Sequence, residues 1–418
     1  MLFRSNPKAC AATGFLSLAL VAGALVYAPA AVAGGANVTL ENFNSTSKDG
    51  SKIFIKRADF TGANLTQDEI AKLLSPDTPD KEEIELAKRL SAEKISIPSI
   101  EVTPKEGGKI TLHDFSADDV NAGKVGKIVI AGIDGAGTED GAQVTIHSGA
   151  LRLEGADLAG VLKATGGAGE AAQGRIGHLV WESVDIVAPD KESGAGKTIH
   201  IAFGSFELSS DYDGDTLKKG ATVLKGLIVE PAPGSEFATN LASLGYSRLE
   251  LAAAIGARYQ VSDKSLSLDD LTIEGVQMGL VGLKASFADV DPALISSGDR
   301  TQRMRALMGC SIAGLEVKIV NAGLFEKALA YYAKQQGTTP DALRQQISAA
   351  AVQMVPLMLG GDPSSLKLAT EAKKFIDLPK NLTISIKAKG APLKAADFMA
   401  GDPSAIISKV DISATANQ

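Results

Sequence analysis

One pattern constrains the fold of this chain more than any other feature: apolar, x, apolar, x, x, apolar, x, apolar. It occurs at Ile95, Ile97, Ile100 and Val102, and again at Ile110, Leu112, Phe115 and Ala117. It returns at Leu179, Trp181, Val184 and Ile186, at Ile201, Phe203, Phe206 and Leu208, and at Leu266, Leu268, Leu271 and Ile273. Strict alternation keeps one face of a strand in the core, and one inserted residue flips every later side chain to the other face. A β-bulge takes up the extra residue, restores the face and bends the strand. The pattern therefore predicts long strands bent toward one side, against the plainer alternative of two short strands separated by a turn.

The connections set the strand direction. Asp134-Gly135-Ala136-Gly137, Gly166-Gly167-Ala168-Gly169, Ser193-Gly194-Ala195-Gly196 and Asp213-Gly214 are turn sequences. Strands joined by turns rather than by crossover helices pair antiparallel, as a meander. The last third changes character. Residues 292–308 read as a helix, Leu315, Val317 and Ile319 alternate as a strand, and a helix follows over residues 324–336. Another helix starts at Thr339-Pro340 with a kink expected at Pro356, and one more covers residues 363–375. The expected class is α+β: a long, antiparallel, bent β-sheet, groove- or half-barrel-like, with a helical cluster in the C-terminal third. The expected divisions are a signal peptide over 1–33, a polar arm and helical entry over 34–93, a β-rich region over 94–290 and an α+β region over 291–418. Within the entry, Thr66 is the N-cap of a helix beginning at Gln67-Asp68-Glu69.

Arg4 and Lys8, the apolar residues 15–26, Pro29 and Ala31-Val32-Ala33 have the layout of a cleaved leader. The apolar stretch falls short of the ~20 residues that span a bilayer. Cleavage after Ala33 is expected, giving a periplasmic or secreted protein with no retained transmembrane anchor. Cys10 would leave with the leader, so Cys310 stays alone and no intramolecular disulfide can form. It reads as a small buried hydrophobe, with Cys310→Ser expected to cost more than Cys310→Ala. With 42 Lys+Arg against 49 Asp+Glu, the net charge of −7 argues against gripping nucleic acid.

Chemical motifs dissolve on inspection. Ser193-Gly194-Ala195-Gly196-Lys197-Thr198 resembles the end of a phosphate-binding loop, but Lys191 stands where the first glycine belongs and alternating Ile199, Ile201 and Phe203 follow. Asp211, Asp213 and Asp215 open like a calcium loop, but Thr216 and Thr222 replace its glycine and glutamate. His113, His147, His178 and His200 are scattered without partners at ligand spacing. Asp269 and Asp270 are adjacent and should point to opposite faces. No catalytic, cofactor or metal residue is assigned, and the balance leans away from an enzyme. Met304, Met308, Met354 and Met358 sit at i, i+4 spacing on two helices and suit either an apolar ligand surface or the core.

Residues 266–287, Leu-Ser-Leu-Asp-Asp-Leu-Thr-Ile-Glu-Gly-Val-Gln-Met-Gly-Leu-Val-Gly-Leu-Lys-Ala-Ser-Phe, resemble the repeating strands of AsmA-type envelope proteins, and residues 151–158 echo them. Asn321-Ala322-Gly323-Leu324-Phe325 through Pro340, with Leu244-Gly245-Tyr246, is similar to uncharacterised exported bacterial proteins. The resemblance implies a curved, groove-like sheet able to shelter acyl chains, and no catalytic residue carries over with it. AsmA-type proteins are membrane-anchored, so their bridging role does not follow. The expected function is a periplasmic, non-enzymatic protein binding lipid or another apolar ligand. The alternative is a structural or protein-interaction factor of the cell envelope with a solid core.

Overall fold

Each phase-shifted run lies inside one continuous strand of the computed structural model, which describes residues 35–418 apart from 49, 106, 140, 158–174, 195, 215, 292–299, 395–396 and 398–402. The strands are β1 (Ala36–Thr46), β2 (Lys52–Ala63), β3 (Ala92–Thr103), β4 (Lys109–Asn121), β5 (Lys124–Ile130), β6 (Gly132–Glu139), β7 (Ala142–Ser148), β8 (Leu151–Asp157), β9 (Ile176–Pro189), β10 (Thr198–Asp213), β11 (Thr216–Glu230), β12 (Leu249–Gln260), β13 (Ser265–Gly275), β14 (Gly279–Ala288), β15 (Ser311–Asn321), β16 (Asn381–Ala388), β17 (Leu393–Lys394) and β18 (Val410–Ala416). The helices are α1 (Gln67–Leu73), α2 (Asp80–Arg89), α3 (Glu236–Ser243), α4 (Arg300–Gly309), α5 (Leu324–Gln335), α6 (Pro340–Met358), α7 (Pro363–Asp377) and α8 (Pro403–Ser408). The strands form an antiparallel α+β arrangement with most helices toward the C-terminus. Two compact units divide the chain: the described residues up to Ser209 with Ile228–Glu236, and Ser210–Leu227 with the described residues from Phe237 onward. The division falls inside the expected 94–290 region.

In the first unit β1 to β4 run as a meander. β4 is long enough to hold two strands in series, β6 along residues 109–113 and β5 along 116–121. Their partners β7 and β8 both pair with β9, which pairs with β10. The phase shifts line up. The ladder skips a position between Glu41↔Arg57 and Phe43↔Ile55, between Ile97↔Phe115 and Ser99↔His113, and between Val184↔Phe203 and Glu182↔Ser205. At the same level Ala131 separates β5 from β6 and Gly149 separates β7 from β8. The register offset is unchanged across each of these gaps, so neighbouring strands insert their extra residue together rather than one bulging against the other. The result is a shared crease. Asn42, Asp114 and Ser183 take positive φ on it, at 52°, 48° and 52°, and Pro98, which has no N–H to give the ladder, lies at that level on β3. The apolar face is kept on both sides: Ile95, Ile97, Phe115, Ile128, Ile130 and Leu153 are at most 2% exposed. Ile70 of α1 and Leu90 after α2 join this core, and Thr66 caps α1 in a reciprocal box with Glu69.

Residues 34–50, expected as a loose arm, instead carry β1, with Leu40 buried. Its copy of the pattern is incomplete because Ser45 occupies the last apolar place. β2 carries a full copy at Ile53, Ile55, Ala58 and Phe60 that the sequence reading passed over. Of the helix expected over residues 292–308, the described part is α4; residues 292–299 lie outside. Pro356 sits in the last turn of α6, so it ends the helix two residues later rather than kinking its middle.

In the second unit β12, β13, β14, β15, β16 and β18 pair in that order. Here β13 does contain a bulge: register shifts between Gly256 and Ala257 opposite it, and between Leu268 and Leu271 along it. α5 begins where Asn321 Oδ1 accepts the amides of Gly323 and Phe325, at 3.2 and 3.0 Å. α6 is capped by Thr339 and α7 by Asp362.

Candidate ligand-binding face

Register sorts the second unit's sheet into two unlike faces. One in-register row reads Ala253, Ile273, Val281, Ile319, Leu382, Ala416. The next reads Ile255, Leu271, Leu283, Val317, Ile384, Ala414, and a third reads Ala257, Leu268, Ala285, Leu315, Ile386, Ile412. Every member is apolar. The opposite face carries rows such as Arg258, Ser267, Ser286, Gly314, Lys387, Asp411 and Lys284, Glu316, Ser385, Ser413.

Coverage of the apolar face is uneven. Phe375 of α7 packs on Leu382 and Ala416, with Phe325 of α5, Ile319 and Ile384 around it, and its ring meets that of Phe325 edge-on. In the first row Leu382 is 7% and Ala416 8% exposed, whereas Ile273 is 53% and Val281 55% exposed. Ile255 in the second row is also exposed. The helices therefore close the β16–β18 side and leave Ile255, Ile273 and Val281 of β12–β14 open, although Ala285 in the third row is buried; such exposure is an uncommon use of apolar surface in a folded unit.

Beside this unit's β13–β14 turn, the Tyr246 hydroxyl donates to the Gln277 carbonyl at 2.9 Å, and Lys327 Nζ lies 3.5 Å over the Tyr246 ring. A pocket of about 590 Å³ adjoins it, lined by Gly245, Leu244, Lys327, Tyr331 and Lys334 among others. Lys327 and Lys334 have no carboxylate partner among the described residues, so the pocket's charge is positive.

The methionines picked from sequence are all on the surface: Met304, Met308, Met354 and Met358 are between 46% and 64% exposed. They do not line the sheet's core rows. The Asp190 amide donates to the Lys197 carbonyl, which closes a turn between β9 and β10, and β10 follows at once, so no helix follows to receive a phosphate. Asp213 pairs with Lys218 at 3.1 Å, and Asp215 lies outside the described residues, as do the leader expected over residues 1–33 and the glycine run 166–169. Asp269 and Asp270 correct the expectation of opposite faces. The β13 bulge turns both to the polar side, where Asp269 accepts from Nε and Nη2 of Arg258 and Asp270 accepts from the Thr272 hydroxyl. The guanidinium holds the Asp269 carboxyl below the usual range, which keeps it ionised and paired rather than catalytic. Cys310 is half-buried and its thiol donates to the Ala306 carbonyl at 3.2 Å.

Among the described residues no cluster of His, Cys, Asp and Glu is placed to hold a metal ion, and no helix is long and apolar enough to cross a membrane. A family model described as "Uncharacterized protein" matches residues 272–417, which takes in part of β13, all of β14 to β16 and the helices packed on them. No curated protein matches the chain.

Proposed function

We propose that the second unit binds an acyl chain, or an apolar ligand of similar shape, along the open part of its sheet face. The observation that carries this reading is the burial gradient along one in-register row, from exposed Ile273 and Val281 to buried Leu382 and Ala416. Water contacts an apolar surface as regular as a core. Covering a fully exposed Val or Ile stabilises by roughly 1.5–3 kcal/mol, so half-exposed side chains gain about 1 kcal/mol each. Ile255, Ile273 and Val281 together supply about 3 kcal/mol, and the larger share of the binding free energy comes from burying the ligand's own chain, about 0.8 kcal/mol per methylene. Lys327 and Lys334 give the nearby pocket the sign for a carboxylate or phosphate end group. The setting proposed for this activity is the cell envelope, reached by export.

The test is native mass spectrometry of protein purified from the exported fraction, before and after delipidation. The expected result is an adduct of acyl mass in the natural chain that is lost in Ile273→Asp/Val281→Asp. Both side chains are exposed, so the pair should keep the thermal melt of the parent. A variant that retains the adduct, or natural protein that never carries or rebinds fatty acid, overturns the reading.

A second reading, a protein-interaction factor, rests on the end of α6, where Val352, Met354, Leu357 and Met358 are exposed, Leu357 by 82%. Leu357→Asp should then abolish a crosslinked protein partner while leaving the acyl adduct untouched.

A further inference from the structure

The first unit's outer face carries an alternating row of imidazoles and carboxylates, one from each of six strands. In order across the sheet these are His113 on β4, Asp134 on β6, His147 on β7, Asp185 on β9, His200 on β10 and Glu230 on β11. Each side chain points away from the core, because its strand neighbours Leu112, Ile133, Ile146, Val184 and Ile201 point into the apolar face. His113 Nε2 lies 2.8 Å from Asp134 Oδ2, and His147 Nδ1 bonds the other oxygen of the same carboxylate. His147 is the register partner of both Asp134 and Asp185. His200 Nε2 is 2.9 Å from Asp185 Oδ2, and its Nδ1 is 3.0 Å from Glu230 Oε2.

The geometry at His200 fixes its protonation. A neutral imidazole has one N–H and one lone pair, so it can satisfy only one of two carboxylates. Imidazolium satisfies both. The two carboxylates raise the His200 pKa above its ordinary value, Asp185 contributing most. A charged His200 puts a cation between Asp185 and Glu230; a neutral one leaves the two carboxylates with no cation between them.

We infer that the His200 end of this row is a proton-operated clasp, closed when the His200 imidazole is charged between Asp185 and Glu230 and released when it loses its proton, that fastens β9, β10 and the 228–230 end of β11 within the first unit. The charged groups nearby on the same face are paired among themselves: Lys109 with Glu101, Arg152 with Glu182, and His178 with Glu207, while Glu154 is the register partner of His178. Of these only His178 carries an imidazole. A histidine whose folded pKa is raised contributes stability that is complete below its unfolded value, near 6.5, and is lost as pH rises through the folded value. The clasp is therefore closed in mildly acidic surroundings and opens toward alkaline pH.

Trp181, the chain's one tryptophan, sits on β9 and reports the clasped strands directly. Full-length protein is unfolded in urea at pH 6.0 and at pH 8.5 and followed by Trp181 fluorescence. The expected loss at pH 8.5 is roughly threefold to tenfold in the folding equilibrium constant. In a Glu83→Gln background, which removes the carboxyl that titrates near pH 6, His200→Gln should take the pH 6.0 value down to that of pH 8.5 and flatten the profile, whereas His178→Gln should leave the profile intact. If His200→Gln cannot be purified folded, the Cε1 proton of His200 in the natural protein is titrated by NMR instead, and should titrate above free histidine and fall back in Glu230→Gln. A flat profile in the natural chain, an unchanged profile in His200→Gln, or an imidazole that titrates like free histidine overturns the proposal.

Discussion

Glu83 works against the fold that holds it. Burial in the first turn of α2, with Asp80 nearby, pushes its carboxyl up to about 6. A carboxylate raised in the folded state binds protons more readily there than in the unfolded chain. Stability is thus highest below the unfolded value near 4.3 and falls as pH rises through about 6. Glu83→Gln should stabilise the first unit by about 1 kcal/mol at pH 7.5, after allowance for partial solvent contact, and have no effect at pH 4. Paired urea titrations at the two pH values check the sign. Cys310 makes a different point. Its thiol is raised by burial and by Asp289, so labelling by a maleimide at pH 7 should be slow in the native protein. Cys310→Ala should cost about 1 kcal/mol. Cys310→Ser should cost no more, contrary to the expectation from sequence, because the Ala306 carbonyl already stands where the hydroxyl can donate. Thermal melts of the two variants decide between these orders.

At the scale of the element, the crease is what lets the first unit's strands stay long and still bury one face. Three strands cross it through residues at positive φ, and all three are types that tolerate the left-handed region: Asn42, Asp114 and Ser183. Ser183 stands opposite Gly149, whose amide donates to Glu182 O at 2.9 Å, so the backbones come close there. Ser183→Gly should be neutral or slightly stabilising. Ser183→Val should lose about 1–2 kcal/mol, since a β-branched residue is forced into left-handed backbone. Denaturation followed by Trp181 fluorescence gives both numbers from the same strand. Equal stability in the two variants would mean that the crease is held by its neighbours and not by its own φ.

For the whole molecule, the two units divide the work. The first fills its apolar side, with large residues of β3, β4, β5 and β8 almost wholly out of water. The second leaves part of an equally regular apolar face open. The leader expected over residues 1–33 bears on where the proposed open face would operate. A product purified from the exported fraction should begin at Gly34-Gly35-Ala36-Asn37, immediately ahead of β1, as read by N-terminal sequencing. A product beginning at Met1 in the cytoplasm would remove the envelope as its setting.

What the sequence determined by itself is local. Alternation chose the apolar face of each strand, the phase shifts located the crease, and Thr66, Thr339 and Pro340 marked helix starts, because each signal is carried by neighbours within a few residues. Even there it failed where one apolar place was polar, as at Ser45 of β1. It could not see that Asp269 and Asp270 share a face, since a bulge is defined by the partner strand as much as by its own. The histidines looked unrelated because residues 113, 134, 147, 185, 200 and 230 meet only through register summed over six strands. Nor could any pattern say which part of the second unit's apolar face would stay open. Ile273 and Leu382 carry the same periodic signal, and only the docking of α7 over one of them, a packing choice that periodicity does not encode, makes the one core and the other surface.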